Sequence, residues 1–326
     1  MSTYKQIAGT NIEVLSSDPA NPVEGQVWYN STSNVVKGFI YNPGSWSTGG
    51  SLNTEKAQMA GTGTQTAALS IGGTPPVIIV GVQTESYNGA SWTEVNDLNT
   101  GRSELGGAGT QTASLVFGGF TGTPPFVALT ESWDGTNWTE VNDLNTARRN
   151  MGSAGTQTSA LSFGGFSPPQ TAITESWNGT SWTEVNDLNT ARDIMGSAGT
   201  DNTSALAFGG NLPPYTAVTE SWNGTSWTEV NDLNTEKNYL AGAGTQTSAL
   251  AFGGDAPGLN RLTQTESWNG TSWTEVNDLS TGTEKLGGAG SDNTSALAFG
   301  GSIVGANVTT TEEWNVGPQT ITFSDS

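Results

Sequence analysis

Apolar side chains in this chain come in short runs such as Ala205-Leu206-Ala207-Phe208 and Ser114-Leu115-Val116-Phe117, each closed by a glycine pair. Runs of that length bounded by Gly predict strands, not helices. The Gly pairs recur at Gly72, Gly118, Gly164, Gly209, Gly253 and Gly300. A Trp marker keeps the same beat, at Trp46, Trp92, Trp138, Trp182, Trp227 and Trp273, with spacings of 46, 46, 44, 45 and 46. Two markers sharing one period describe one copied unit. A period in the mid-forties, rich in Gly, Trp and Thr, predicts four-stranded antiparallel blades of an all-β propeller.

Within one unit, Met195–Thr200 reads as the innermost strand, where small residues let backbones approach at a crowded axis. Ser204–Phe208 is the second strand and Thr216–Trp222 the third. Asn223-Gly224 signals a tight hairpin into Ser226–Val230, with Trp222 and Trp227 as a cross-strand pair. Hairpins of this kind appear at Tyr41/Trp46, Tyr87/Trp92, Trp133/Trp138, Trp177/Trp182, Trp222/Trp227 and Trp268/Trp273, and Trp314 opens one more. Seven blades are the favoured count, with residues 7–54 completing one beside the C-terminal strand; six is the alternative, if that segment is a separate anchor. The chain accordingly divides into 1–54, a divergent first blade or attachment hairpin, and 55–326, six repeat blades.

Composition narrows the function. Thirty acidic against ten basic residues give a net charge of −20, which opposes binding to nucleic acid and to anionic membranes. There is no Cys and no His, so disulfides, thiol chemistry, and the commonest metal ligand and general base are absent. No run is long enough to span a bilayer, and the first residues lack the apolar core of an export signal. Release by lysis, within a virus particle, fits these features.

In order and spacing, Gly209-Gly210, Glu220, Trp222, Trp227 and Lys237 resemble the kelch repeat over about residues 36–326. The resemblance implies a propeller of the galactose-oxidase-like class. Copper oxidases of that class need His and a Tyr–Cys crosslink, which this chain cannot supply. The segment Gly25–Lys37 resembles a hairpin common in bacteriophage tail-fibre and other virion proteins.

Candidate chemistry is sparse. Glu131, Glu175, Glu220 and Glu266 return in every blade, so a structural role is expected over paired-carboxylate glycoside cleavage. Asn186-Asp187 and its copies read as Asx turns, not calcium loops; no cofactor or metal is expected. Lys56, Arg102, Arg148, Arg149, Arg192, Lys237 and Lys285 all precede an innermost strand. They form either a cationic ring around one channel mouth, suited to an anionic ligand, or ion pairs with acidic neighbours. The loops after the Gly pairs, within 74–78, 120–126, 166–170, 211–215 and 255–261, differ among copies and should share the face of that ring. They add Phe126, Tyr215 and Arg261 to the candidate ligand contacts.

These features lead us to expect a non-enzymatic phage virion protein, a tail-fibre or receptor-binding propeller presenting one loop face to a host-surface glycan or protein. The N-terminal region would attach it to other virion proteins, in several copies per particle. A capsid-decorating propeller, a cellular kelch-type adaptor and a lytic glycosidase are the alternatives.

Overall fold

A computed structural model describes residues 12–76, 80–122, 126–213, 215–258 and 261–323. Among them every regular element is a strand. The third copy shows the unit: Gly152–Thr156, Ser159–Phe163, Thr174–Trp177 and Trp182–Val185 lie in that order, antiparallel throughout. Four further sheets repeat it, beginning at Ala60, Gly106, Gly196 and Ala241. The second strand is buried on both faces because it lies between neighbouring sheets, which is why it reads as a continuous apolar run and not an alternation.

The sixth blade is assembled from both ends of the chain. Gly287–Asp292 and Ser295–Phe299 are followed in the sheet by Thr311–Phe323 and then by Val35–Thr48. The blade count is therefore six. A seventh sheet exists, but it is the two-stranded ribbon of Ser302–Ile303 and Ala306–Asn307, without an innermost strand of its own. The seven hairpin signals reduce to six because the first and last are halves of one. Trp46 and Trp314 stand 5.4 Å apart, like Trp177 and Trp182 at 5.4 Å. Tyr41, expected opposite Trp46, has its side chain outside the described set.

Each blade is fastened to the one before it by its second Trp. Trp182 meets Phe117 at 4.7 Å and donates from Nε1 to Thr130 Oγ1 at 3.2 Å. Trp46 repeats this with Phe252 at 4.9 Å and Thr265 Oγ1 at 2.9 Å. Trp92 completes the circle on Phe299 and Thr311. The Asx residues after the outermost strand also bridge blades, since Asn142 Nδ2 donates to the Thr180 carbonyl. Asp143 meanwhile accepts from the Thr130 amide. The Asn-Gly hairpins are longer than the expected tight turn: four residues, Asn178–Ser181, separate the paired Trp177 and Trp182. Asn178 Oδ1 accepts the amides of Thr180 and Ser181, and Gly179 takes φ +90°.

Two compact units emerge, Trp46–Trp314 and a smaller one of Met1–Ser45 with Asn315–Ser326. The boundary falls at Trp46, not at residue 54, because the segment through Thr48 is already blade strand. In the smaller unit Glu13–Leu15 runs parallel to Val27–Asn30, which pairs antiparallel with the start of Val35–Thr48. Asp18 ties these strands together, accepting from Trp28 Nε1, Asn30 Nδ2 and Lys37 Nζ at 3.1, 2.8 and 2.6 Å. Those bonds hold its carboxyl down at about 2.

If Trp46 is a blade residue, Trp46→Ala costs about 3 kcal/mol in urea unfolding, the low end for a lost indole, and matches Trp182→Ala. An unchanged midpoint would place the N-terminal strand outside the ring.

Candidate functional site at the axial mouth

Five of the predicted contact residues are interior. Lys56, Arg102, Arg148, Arg192 and Lys237 are 0 % exposed, and each is ion-paired with the repeated Glu of its own blade: Glu85, Glu131, Glu175, Glu220 and Glu266. The expected cationic ring is thus withdrawn into the sheets. The cause is chemical: the same carboxylate also accepts from the linker that carries the base. Asn145 N and Nδ2 both reach Glu175 Oε2 at 2.7 Å, and the Thr146 amide reaches Oε1. Burial pushes the arginine pKa values of Arg102, Arg148 and Arg192 down, and the facing glutamates pull them back. In five of the six blades one charge pair locks the linker before the innermost strand to the third strand.

The mouth itself is made by the residue two places further on. Gln58, Glu104, Asn150, Ile194, Tyr239 and Lys285 occupy equivalent positions, and all six have left-handed φ between 52° and 58°. Their backbones form a closed circle of hydrogen bonds, each N–H donating to the preceding carbonyl: Glu104 to Gln58, Asn150 to Glu104, Ile194 to Asn150, Tyr239 to Ile194, Lys285 to Tyr239 and Gln58 to Lys285, at 2.8–3.2 Å. The circle explains the strained conformation, which for a β-branched residue such as Ile194 is unfavourable in isolation. Lys285 belongs here and not with the five buried bases; Thr283 holds their position in the sixth blade.

The six side chains surround a cavity of about 120 Å³ whose floor is Met59, Leu105, Met151, Met195, Leu240 and Leu286. Glu104 is held by Gln58 Nε2 at 3.2 Å, Asn150 Nδ2 at 3.0 Å and Arg149 at 2.7 Å. Burial nevertheless raises its pKa, with Arg149 opposing. Lys285 stands over the Tyr239 ring at 4.6 Å and 3.4 Å from Glu284. Burial first, then Glu104, Asp193 and Glu284, raises the Tyr239 hydroxyl to about 12. The mouth therefore combines a hydrogen-bonded carboxylate, two amides, a phenol and an ammonium over an apolar floor, groups able to donate and accept hydrogen bonds.

The variable loops do share this face. Ladder bridges join residues beside the circle to residues just past the Gly pairs, as in Ser103 with Phe120, Arg149 with Phe166 and Asp193 with Asn211. Phe126 packs on Phe120 and Phe166, and Arg149 lies 4.6 Å from the Phe126 ring. Tyr215 donates to Asp255 Oδ2 at 3.1 Å, and Arg261 pairs with Glu284 at 3.1 Å. Phe126, Tyr215, Arg261 and Lys285 thus remain on the loop face. Residues 77–79, 123–125, 214 and 259–260 of these loops lie outside the described set. Gln58, Glu104, Asn150, Ile194 and Tyr239 were missed by a search for recurring chemistry. Their signal was the opposite one, a position at which all six copies differ, just before a Met or Leu that all six share in kind.

No family model matches the chain, and no curated protein matches it. Among solved structures it is similar to YjhT, at 11 % identity and a TM-score of 0.67 over 83 % of this chain and all of that one. The likeness supports the propeller fold.

Two outcomes follow from this geometry. Arg148→Ala should cost about 3–5 kcal/mol by leaving Glu175 buried and unpaired, and Arg148→Met with Glu175→Leu should recover most of it in urea unfolding. A loss below about 1 kcal/mol, the level of an exposed pair, would contradict burial. Because the folded phenol of Tyr239 titrates near 12 while a free one titrates near 10, its contribution to stability is complete below pH ~10 and lost as pH rises through ~12. Absorbance titration against Tyr239→Phe should show that late phenolate; a tyrosine titrating near 10 would refute it.

Proposed function

We propose that this chain is a non-enzymatic recognition propeller of the kelch type, carried on a bacteriophage particle as a tail-fibre or receptor-binding component. Its contact face is the axial mouth with the surrounding loops, and its ligand a host-surface glycan or protein. The observation that carries the reading is the distribution of difference. Blades that agree in their aromatic pairs, Gly pairs and glutamates, and five of them in a buried base, diverge at Gln58, Glu104, Asn150, Ile194, Tyr239 and Lys285 and in the loops around them. A rigid repeated frame with one divergent face is the arrangement of a binding scaffold. A partly exposed phenol and neighbouring amides suit the apolar face and hydroxyl edge of a sugar.

The phage context rests on the likeness of Gly25–Lys37 to virion hairpins, which fall in the smaller unit with the strands Val27–Asn30 and Val35–Thr48. That unit is assigned to attachment to other virion proteins. The burial of five bases favours, as a second reading, a capsid-decorating propeller without a ligand, since it removes the strongest electrostatic attraction the loop face could have offered.

Purified protein should bind surface polysaccharide of its host, and Tyr239→Ala or Lys285→Ala should weaken binding at least about tenfold, equivalent to ~1.4 kcal/mol, with little change in melting temperature. Absence of binding to every host glycan and envelope protein, with the chain present in purified particles, would establish the decorating role. Absence from particles would overturn both.

A further inference from the structure

Five blades hold an internal cation against a ring of oxygens, and the sixth retains the oxygens without the cation. In the first blade Lys56 Nζ lies 3.3 Å from the Ser70 carbonyl, 3.4 Å from that of Gln83 and 3.5 Å from Glu85. In the second, Arg102 NH1 donates to the carbonyls of Gly118, at 3.2 Å, and Leu129, while NH2 reaches Glu131 at 2.8 Å. Counting from the Gly pairs and the third strands, the sixth-blade counterparts of these oxygens belong to Ala298, Thr310, Gly300 and Glu312. The base is replaced by Thr283, whose short side chain turns back to the Thr281 carbonyl at 3.0 Å.

The consequence is a cavity of about 10 Å³ lined by Thr283, Ala298, Gly300, Thr310 and Glu312, with Leu279 and Phe299 among its apolar walls. That is room for one water-sized particle. Glu312 accepts from the Ser280 amide at 3.0 Å and has no ion pair among the described residues. Its counterparts in the other five blades are each paired with a base.

We propose that this cavity binds a small monovalent cation of the potassium class, coordinated by Glu312 and by carbonyl oxygens of Ala298, Gly300 and Thr310, in place of the tethered ammonium or guanidinium of the other blades. One carboxylate with neutral carbonyls balances a single positive charge. A dedicated divalent site gathers more carboxylates, and no cluster of three or more acidic, His or Cys ligands occurs among the described residues. A particle the size of water corresponds to potassium better than to the smaller, more tightly hydrated sodium. The blade concerned is the one built from both chain ends, so the ion acts at ring closure.

The test is thermal unfolding of the full chain in potassium, sodium and tetramethylammonium chloride at equal ionic strength, for the unchanged protein, Glu312→Gln and Thr283→Lys. Potassium should raise the melting temperature of the unchanged protein by about 2–4 °C over tetramethylammonium. Glu312→Gln should lose that increment. Thr283→Lys should also lose it, and melt higher in tetramethylammonium than the unchanged protein, because it restores the tethered cation. Equal melting in all three salts, or a potassium increment that survives both substitutions, overturns the proposal. Should either variant fail to fold, anomalous scattering from rubidium-soaked crystals of the unchanged protein decides: a peak beside Glu312 supports the site, and a cavity holding only water refutes it.

Discussion

Six strands must reach one axis, and everything else in this molecule accommodates that crowding. A Cβ on Gly61 would stand 2.3 Å from the Gly288 carbonyl, and one on Gly242 would stand 2.3 Å from that of Ser197, distances no side chain tolerates. The innermost strands therefore surrender side-chain packing, and the stabilising contacts move outward. There the second strands place Leu and Phe between sheets, and paired indoles bind each sheet to the one before it. Closing the circle then requires a sixth outermost strand, which the N-terminal segment contributes through Trp46.

The same constraint separates frame from face. Buried charge pairs such as Arg192 with Glu220 lock the linker to the third strand, and removing one partner exposes the full desolvation penalty of the other. Such positions cannot vary freely, so their repetition reflects folding. At the mouth, where the backbone is held in its left-handed conformation by its own circle of hydrogen bonds, side-chain identity is not fixed by an ion pair as it is in the frame. Gln, Glu, Asn, Ile, Tyr and Lys all meet the same backbone requirement. A ligand can therefore be selected there without cost to the frame.

Much of this was legible in the sequence. The propeller, the strand order within a blade, the stacked Trp pairs and the structural role of the glutamates follow from two periodic markers. The blade number was not, because a circular fold cut within a blade shows its two half-hairpins as separate signals at opposite ends of the chain. The buried bases were ambiguous for a different reason: charge and position place Arg102 near the channel, but only burial distinguishes a rim residue from an ion pair inside the sheet. Lys285 was grouped with these bases because charge was aligned in place of register; Thr283 holds the matching position. The mouth residues escaped notice because periodicity rewards agreement, and their significance lies in disagreement at one fixed backbone conformation.

The most direct test of a divergent face on an invariant frame is covalent footprinting of Tyr and Lys side chains with and without host envelope polysaccharide. The account predicts protection at Tyr239 and Lys285 and at Tyr215 on the neighbouring loop, with Lys37 in the smaller unit unaffected. Protection confined to Lys37 and Tyr29, with the mouth fully reactive, would contradict it.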